Sequence, residues 1–273
     1  MTDFAAATFD RIAAASLANA QANASQATRS VADLTTLPRV VVVANGPSLA
    51  GNLEALRLAS AHVVCADGAM ARLLMVGVVP DLVVTCDPHP RIAHWFGADD
   101  DDGHFARTGE RALRGDLSGI PLAIATASHP RTVAQATAAG MALYWWHAML
   151  DDPATGTLTR GLYDLAPLPC LNGGGNVGTA AWVLAHTILG AKDIALVGFD
   201  FGYPPGFPEE RTQYAPERPS FVTYPNGWYT DATFAWFRDV FTAMVKDAPC
   251  RTVNCSFGGT LEIERMALRV WIG

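Results

Sequence analysis

A chain of 273 residues that is 50% hydrophobic and 16% charged holds one large α/β domain or two small ones. Its formal net charge of -7 excludes a general electrostatic grip on nucleic acid or on an anionic membrane. A local anion site built from backbone N–H groups stays open.

Five cysteines are present, Cys65, Cys86, Cys170, Cys250 and Cys255, with no CxxC pair. They read as reduced thiols rather than as a disulfide or zinc framework. No basic start is followed by an apolar block, and no apolar run is long enough to span a bilayer, so a cytoplasmic location is expected.

Residues 3–29 are rich in Ala, Ser, Asn and Gln, with Phe4, Phe9, Ile12 and Leu17 at helical steps. This predicts a weakly amphipathic helix that needs a docking surface. The surface could be its own domain or a second subunit, which would make a homo-oligomer. The organisation expected is an N-terminal helical segment over 1–36 and a single domain over 37–273.

The β-branched run 40–43 reads as a strand buried on both faces, followed by a turn at Asn45, Gly46, Pro47 and Ser48 and a helix over 52–60. Strands are then predicted over 62–65, 82–86, 121–128 and 141–146, with helices over 69–76 and 131–139. Residues 148–170, broken by Pro and Gly, read as irregular. A strong helix over 175–190 precedes a strand that ends on Asp200. Residues 202–230 read as a long loop or lid. A helix from Ala232 and a strand from Cys250 close the pattern.

Such alternation predicts a Rossmann-like α/β fold, a doubly wound, mostly parallel sheet with helices on both faces. Ligands of these sheets sit beyond the carboxyl ends of the strands. Asn45, Asp67, Asp87, Ser128, His147 and Asp200 all fall at or just past predicted strand ends, so one sheet edge should carry them.

The turn after the first strand has the chemistry of a phosphate site. Gly46 admits a close backbone approach, Pro47 fixes the turn, and Ser48 can cap a helix whose free N–H groups suit an anion. A plain capped turn has the same sequence. Gly173, Gly175 and Gly178 match GxGxxG, but Pro167 and Pro169 precede them where a core strand should lie. A helix N-terminus that admits a ligand to its donors fits better, with close helix packing as the alternative. Asp67 and Asp87 could hold a ribose hydroxyl and a metal or acceptor group; helix capping and a turn are the alternatives.

Of seven histidines, His62 and His186 read as structural and His104 as a loop residue behind the acidic run 99–102, itself a solvated loop. His147 is the favoured general base, ahead of His89 and His129. No GxSxG, Walker A or HExxH motif is present.

In order, VVVANGPSL, CADGAMARLLMVGVVPDLVVTCDP, GGGNVGTAAWVLAHTILGAKDIALVGFDFGY, NGWYTDATFAWFRDVFTAMV and TVNCSFGGTLEI resemble one family over roughly residues 38–265. It is the Maf type (motility accessory factor) of flagellin glycosyltransferases, whose domain family includes the MptE-like 6-hydroxymethylpterin diphosphokinases. The resemblance implies a Rossmann-like enzyme that moves a nonulosonic acid from a CMP-linked sugar donor to a hydroxyl of a protein or glycan acceptor, flagellin in that family. It implies that Asn45, Gly46, Pro47 and Ser48 line the nucleotide phosphate and that Asp67 lies near the nucleoside. Gly174, Gly175 and Asn176 would meet the donor, and Asp200 and Tyr203 would border the acceptor cleft. Ser128 is a further substrate-binding candidate at its strand end, and His147, Asp200 and Asp87 are the catalytic candidates.

No cofactor is required on this reading. On the diphosphokinase branch Mg2+ would bridge ATP phosphates, held by Asp67 and Asp87. That branch usually carries a second acid in a D-x-D arrangement, where this chain reads Asp87-Pro88-His89. A non-catalytic binding or scaffold module is the third alternative. Maf-type proteins are usually longer, so an acceptor other than flagellin is also expected to fit.

Overall fold

A computed structural model describes residues 3–101, 103–108, 116–152, 154–209, 212 and 221–273, with the side chains of those from Ile12 onward except 107 and 108. The strands are β1 (Arg39–Val43), β2 (His62–Ala66), β3 (Leu82–Thr85), β4 (Pro121–Ala125), β5 (Ala142–Ala148), β6 (Cys170–Leu171), β7 (Asp193–Val197), β8 (Phe221–Thr223), β9 (Tyr229–Asp231) and β10 (Arg251–Asn254). The helices are α1 (Asp3–Asn23), α2 (Leu53–Leu58), α3 (Asp67–Met75), α4 (His104–Thr108), α5 (Pro130–Ala138), α6 (Leu158–Leu165), α7 (Val177–Thr187), α8 (Ala232–Asp247) and α9 (Leu268–Ile272).

Eight strands form one parallel sheet in the order β10-β7-β1-β2-β3-β4-β5-β6. The run that sequence reads as doubly buried behaves so. Val41 and Val43 face a core with Leu56 of α2, Met70 of α3, Val133 of α5 and Trp271 of α9. Val40 and Val42 face the other, with Trp182 of α7 and Phe241 of α8. Both faces are covered, as a parallel sheet requires.

Two stretches differ from expectation. Residues 148–170 contain the amphipathic α6, whose Leu162 is fully buried; its flanking Pro and Gly mask its period. The 202–230 segment is less irregular than expected. Tyr203 and Tyr229 exchange backbone hydrogen bonds of 2.8 and 3.0 Å, and β8 pairs antiparallel with β9. Residues 210, 211 and 213–220 of that segment lie outside the described part.

The N-terminal helix docks on its own domain. Leu17 and Ala20 pack with Leu150, Leu158 and Leu162. The Asn19 amide donates to the carbonyls of Pro88 (3.0 Å) and Ala127 (2.9 Å), and that of Asn23 to Thr126 (2.9 Å) and Ser128 (2.8 Å). α1 therefore grips the chain where it leaves β3 and β4. Among the described residues no helix is long and apolar enough to cross a membrane.

Candidate functional site

Chain order runs outward from β1 through β6, then returns to β7 on the other side of β1. The carboxyl ends of β1 and β7 are thus the topological switch point, where open α/β sheets bind ligands. Both turns there are glycine-dependent. Gly46 N–H donates to Gly198 O at 3.1 Å. A Cβ on Gly46 would lie 2.3 Å from that oxygen and 2.5 Å from Asp200 Oδ2. The close approach is between two strand ends.

Asp200 fastens this junction. Its Oδ2 accepts the Ser48 N–H at 2.7 Å and its Oδ1 accepts the Ser48 hydroxyl. Burial pushes the Asp200 carboxyl above its ordinary range, against Ser48, Arg72 and Arg265, which pull it down. It is 2% exposed, so its task in this arrangement is to hold the 45–48 turn. Ser48 is spent on that bond rather than on capping, and Pro47 opens a short 3-10 helix, Pro47–Asn52, in place of the expected α-helical start.

Arg72 supplies a cation at the same place. It reaches from α3 to Asn45 Oδ1 (3.3 Å) and Gly46 O (3.2 Å). Sequence reading passed over it because nothing in ADGAMARL says which face of α3 looks toward β1.

The third wall is the start of α7. A Cβ on Gly178 would sit 3.2 Å from Ala44 Cβ and 3.5 Å from the Phe199 ring. The helix therefore begins against the residues just past β1 and β7. Asn176 caps it through Thr179 N–H at 2.9 Å. The N–H groups of Gly175, Val177 and Gly178 find no acceptor among the described residues. Such donors, aligned with the helix dipole, suit an oxyanion. Gly174 and Gly175 have φ of +59° and +84°, values that favour glycine. Their missing side chains also make room for Thr179 and Phe237.

Asp67 and Asp87 follow β2 and β3, which are neighbours. Asp67 is buried; its oxygens accept from Gly68 N–H (2.7 Å) and the Thr85 hydroxyl (2.6 Å). Thr85, which sequence also passed over, thereby ties the two strand ends together. Asp87 is half-buried, and its Oδ1 accepts the His89 N–H at 2.8 Å. Burial raises the Asp87 carboxyl above the usual range, with His89 and Arg91 opposing. Its Oδ2 meets no donor among the described residues.

The edge is a row, not a point. Six strands separate β7 from β5 inclusive, so at about 4.8 Å per step Asp200 and His147 stand roughly 24 Å apart. His147 is 1% exposed, with Nδ1 2.7 Å from the Thr126 hydroxyl and Nε2 2.8 Å from Ala166 O. A carbonyl only accepts, so Nε2 carries the proton and Nδ1 accepts from Thr126. Both nitrogens are committed, and the ring acts as a tie rather than as a free base. Ser128 is fully buried beside Asn23, its hydroxyl unpaired among the described residues. Tyr203 packs on Phe207, Tyr229 and Phe234.

His147 makes a prediction about stability. Burial depresses its proton affinity below the free imidazole value of about 6.5. The unfolded chain then binds more protons in that window, so stability is full above about pH 6.5 and is lost as pH falls. Asp87 and Asp200, both raised, act with the opposite sign from about pH 3.8 upward. The difference between wild type and His147→Gln isolates the histidine. Urea midpoints from pH 7.5 to 5 should fall more steeply in wild type; parallel curves would refute this.

The fold and site invite comparison with known proteins. No curated protein matches the sequence. Among solved structures, the MAf glycosyltransferase from Magnetospirillum magneticum AMB-1 matches with a TM-score of 0.62 at 17% identity. The match covers 94% of this chain and 39% of that one, so the chain spans well under half of that protein. At this identity the likeness establishes a shared fold. The family described as 6-hydroxymethylpterin diphosphokinase MptE-like matches over residues 15–206, which takes in β1 to β7 and every strand-end residue described above. The chain belongs to the 6-hydroxymethylpterin diphosphokinase MptE-like family.

Proposed function

We propose that the protein is a nucleotide-dependent transferase that moves a nonulosonic acid from a CMP-linked donor to an acceptor hydroxyl. The observation that carries this reading is the arrangement of residues at the switch point. There Asn45, Arg72 and the open N–H groups at the start of α7 supply donors and one cation for a phosphate. The nucleotide phosphate would lie across β1 and β7, the sugar over β2, and the acceptor over β3 and β4.

The acceptor hydroxyl attacks the anomeric carbon, the bond from that carbon to the phosphate oxygen breaks, and CMP leaves with the electron pair. The α7 donors and Arg72 would stabilise that charge. Asp87 takes the hydroxyl proton. Its free Oδ2 and raised proton affinity suit a base, whereas His147 and Asp200 are spent on Thr126, Ala166 and Ser48. A protein or glycan acceptor, flagellin among them, belongs to this reading, as does a second copy of the chain on α1.

The second reading, pyrophosphoryl transfer from ATP to a pterin-like alcohol, rests on Asp67 and Asp87 ending adjacent strands. They fit a magnesium ion that keeps several waters, since Asp87 Oδ2 meets no donor among the described residues and Asp67 follows the neighbouring strand. Bound there, the ion would neutralise charge on the transferring phosphates.

Calorimetric titration with CMP and with ATP, each with and without magnesium, separates the two. CMP binding indifferent to magnesium, and weakened about tenfold or more by Arg72→Ala, is the expected result. ATP binding that requires magnesium, with silence toward CMP, would overturn it in favour of pyrophosphoryl transfer.

A further inference from the structure

The sequence His-Pro-Arg occurs twice, as His89-Pro90-Arg91 after β3 and as His129-Pro130-Arg131 after β4. β3 and β4 are adjacent and parallel, so the two copies leave the same sheet edge side by side. They are built alike. In each, the histidine precedes a helical segment and its Nδ1 accepts the backbone N–H of the arginine, at 3.2 Å for Arg91 and 3.1 Å for Arg131. In each, proline occupies the first helical position, where its missing N–H costs nothing.

That cap fixes the chemistry each histidine presents. With Nδ1 accepting, the proton of the neutral ring resides on Nε2, away from the backbone. Each copy thus presents one N–H donor and one guanidinium. The two copies also feel each other: His89 and Arg131 both depress the proton affinity of His129, after burial. His89, Arg91 and Arg131 line a shallow depression of about 200 Å3. Asp99, Asp100 and Asp101 line the same depression; Asp101 pairs with the Arg131 guanidinium and Asp100 accepts the Ala106 N–H at 2.8 Å.

Asp101 thus rests on the Arg131 guanidinium, beside Arg91, as the carboxylate of a bound ligand would. We propose that the twin His-Pro-Arg turns form a subsite for an oxyanion, a carboxylate or phosphate of a small ligand, and that Asp101 occupies Arg131 until that oxyanion displaces it. The depression borders Asp87, whose carboxyl responds to His89 and Arg91. On the reading above it is the acceptor side of the sheet edge, about two strand steps, roughly 10 Å, from β1. The subsite itself does not depend on which group is transferred.

The test is a titration of the intact protein with inorganic pyrophosphate and, separately, with N-acetylneuraminate, followed through the histidine ring resonances. The expected result is that at least one ligand shifts the signals of His89 and His129. Arg131→Gln should weaken this binding about tenfold, the loss of a charge-assisted contact. Asp101→Asn, an exposed change that leaves the clamp intact, should tighten it several-fold. Response to pyrophosphate alone assigns a phosphate, and response to N-acetylneuraminate alone assigns a sugar carboxylate. No shift with either ligand, or an affinity unmoved by Asp101→Asn, overturns the proposal. Neither readout requires nucleotide binding, so its failure is distinct from failure of the transferase reading.

Discussion

Gly46→Ala should destabilise the protein by about 3 kcal/mol or prevent folding, at the upper end of overpacking costs. The new methyl carbon would stand 2.3 Å from Gly198 O and 2.5 Å from Asp200 Oδ2. Neither can step aside. Gly198 is fixed by the β1–β7 ladder, which pairs Val43 with Val197, and Asp200 is held by two bonds from Ser48. The facing glycine is equally constrained, with φ of +74° and 2.2 Å between its own missing Cβ and Ala44 O. Gly161→Ala gives the contrast. It lies in α6 with open space around it and no positive φ, so alanine should stabilise by about 0.5–1 kcal/mol. Urea unfolding of both variants decides the matter. A Gly46→Ala protein within 0.5 kcal/mol of wild type would mean that the two strand ends do not approach as described.

The contrast also shows what sequence reveals and what it hides. A glycine after a strand signals a close approach, but the chain alone does not say to what. The 45–48 turn reads as ligand-facing, yet the approach turns out to be between β1 and β7, strands whose paired residues lie 154 apart in sequence. The strands themselves were legible because four consecutive β-branched residues have few other uses. The strand-end residues were legible because parallel sheets place them on one edge. The strand order was not, and with it went the length of that edge. Without it, His147 and Asp200 look like partners; with it, they are too far apart to serve one atom. His147 was misplaced for a further reason. Its commitment to Thr126 and Ala166 depends on a carbonyl from the segment before β6, a contact with no local signature. α6 was hidden by the opposite effect, a clear amphipathic pattern masked by the Pro and Gly around it.

Asn23 carries the second large effect, and its sign can be read from donors and acceptors alone. Its amide nitrogen is fully buried and donates to two carbonyls, Thr126 O and Ser128 O, while its Oδ1 meets no donor among the described residues. The side chain is there for its NH2. Asn23→Ala leaves two buried carbonyls without donors and should cost about 3 kcal/mol. Asn23→Asp should cost more although it preserves the shape. It points carboxylate oxygens at carbonyl oxygens and buries a charge with nothing to pair it. Asn19→Ala, at a less enclosed position, should cost less than either.

These carbonyls belong to the turn that carries His129, and Asn19 holds the one that carries His89. Loosening α1 should therefore loosen the edge after β3 and β4 first. Hydrogen exchange in Asn23→Ala should accelerate over 86–91 and 126–131 and stay slow over 40–46, where β1 is held by β2 and β7. On the proposed CMP-dependent transfer, CMP affinity should hold while the KM for the acceptor rises. If Asn23→Asp proves as stable as wild type, α1 is not gripping the sheet edge through this amide. Uniform acceleration across all strands would instead make α1 part of the global core, with no special hold on the turns after β3 and β4.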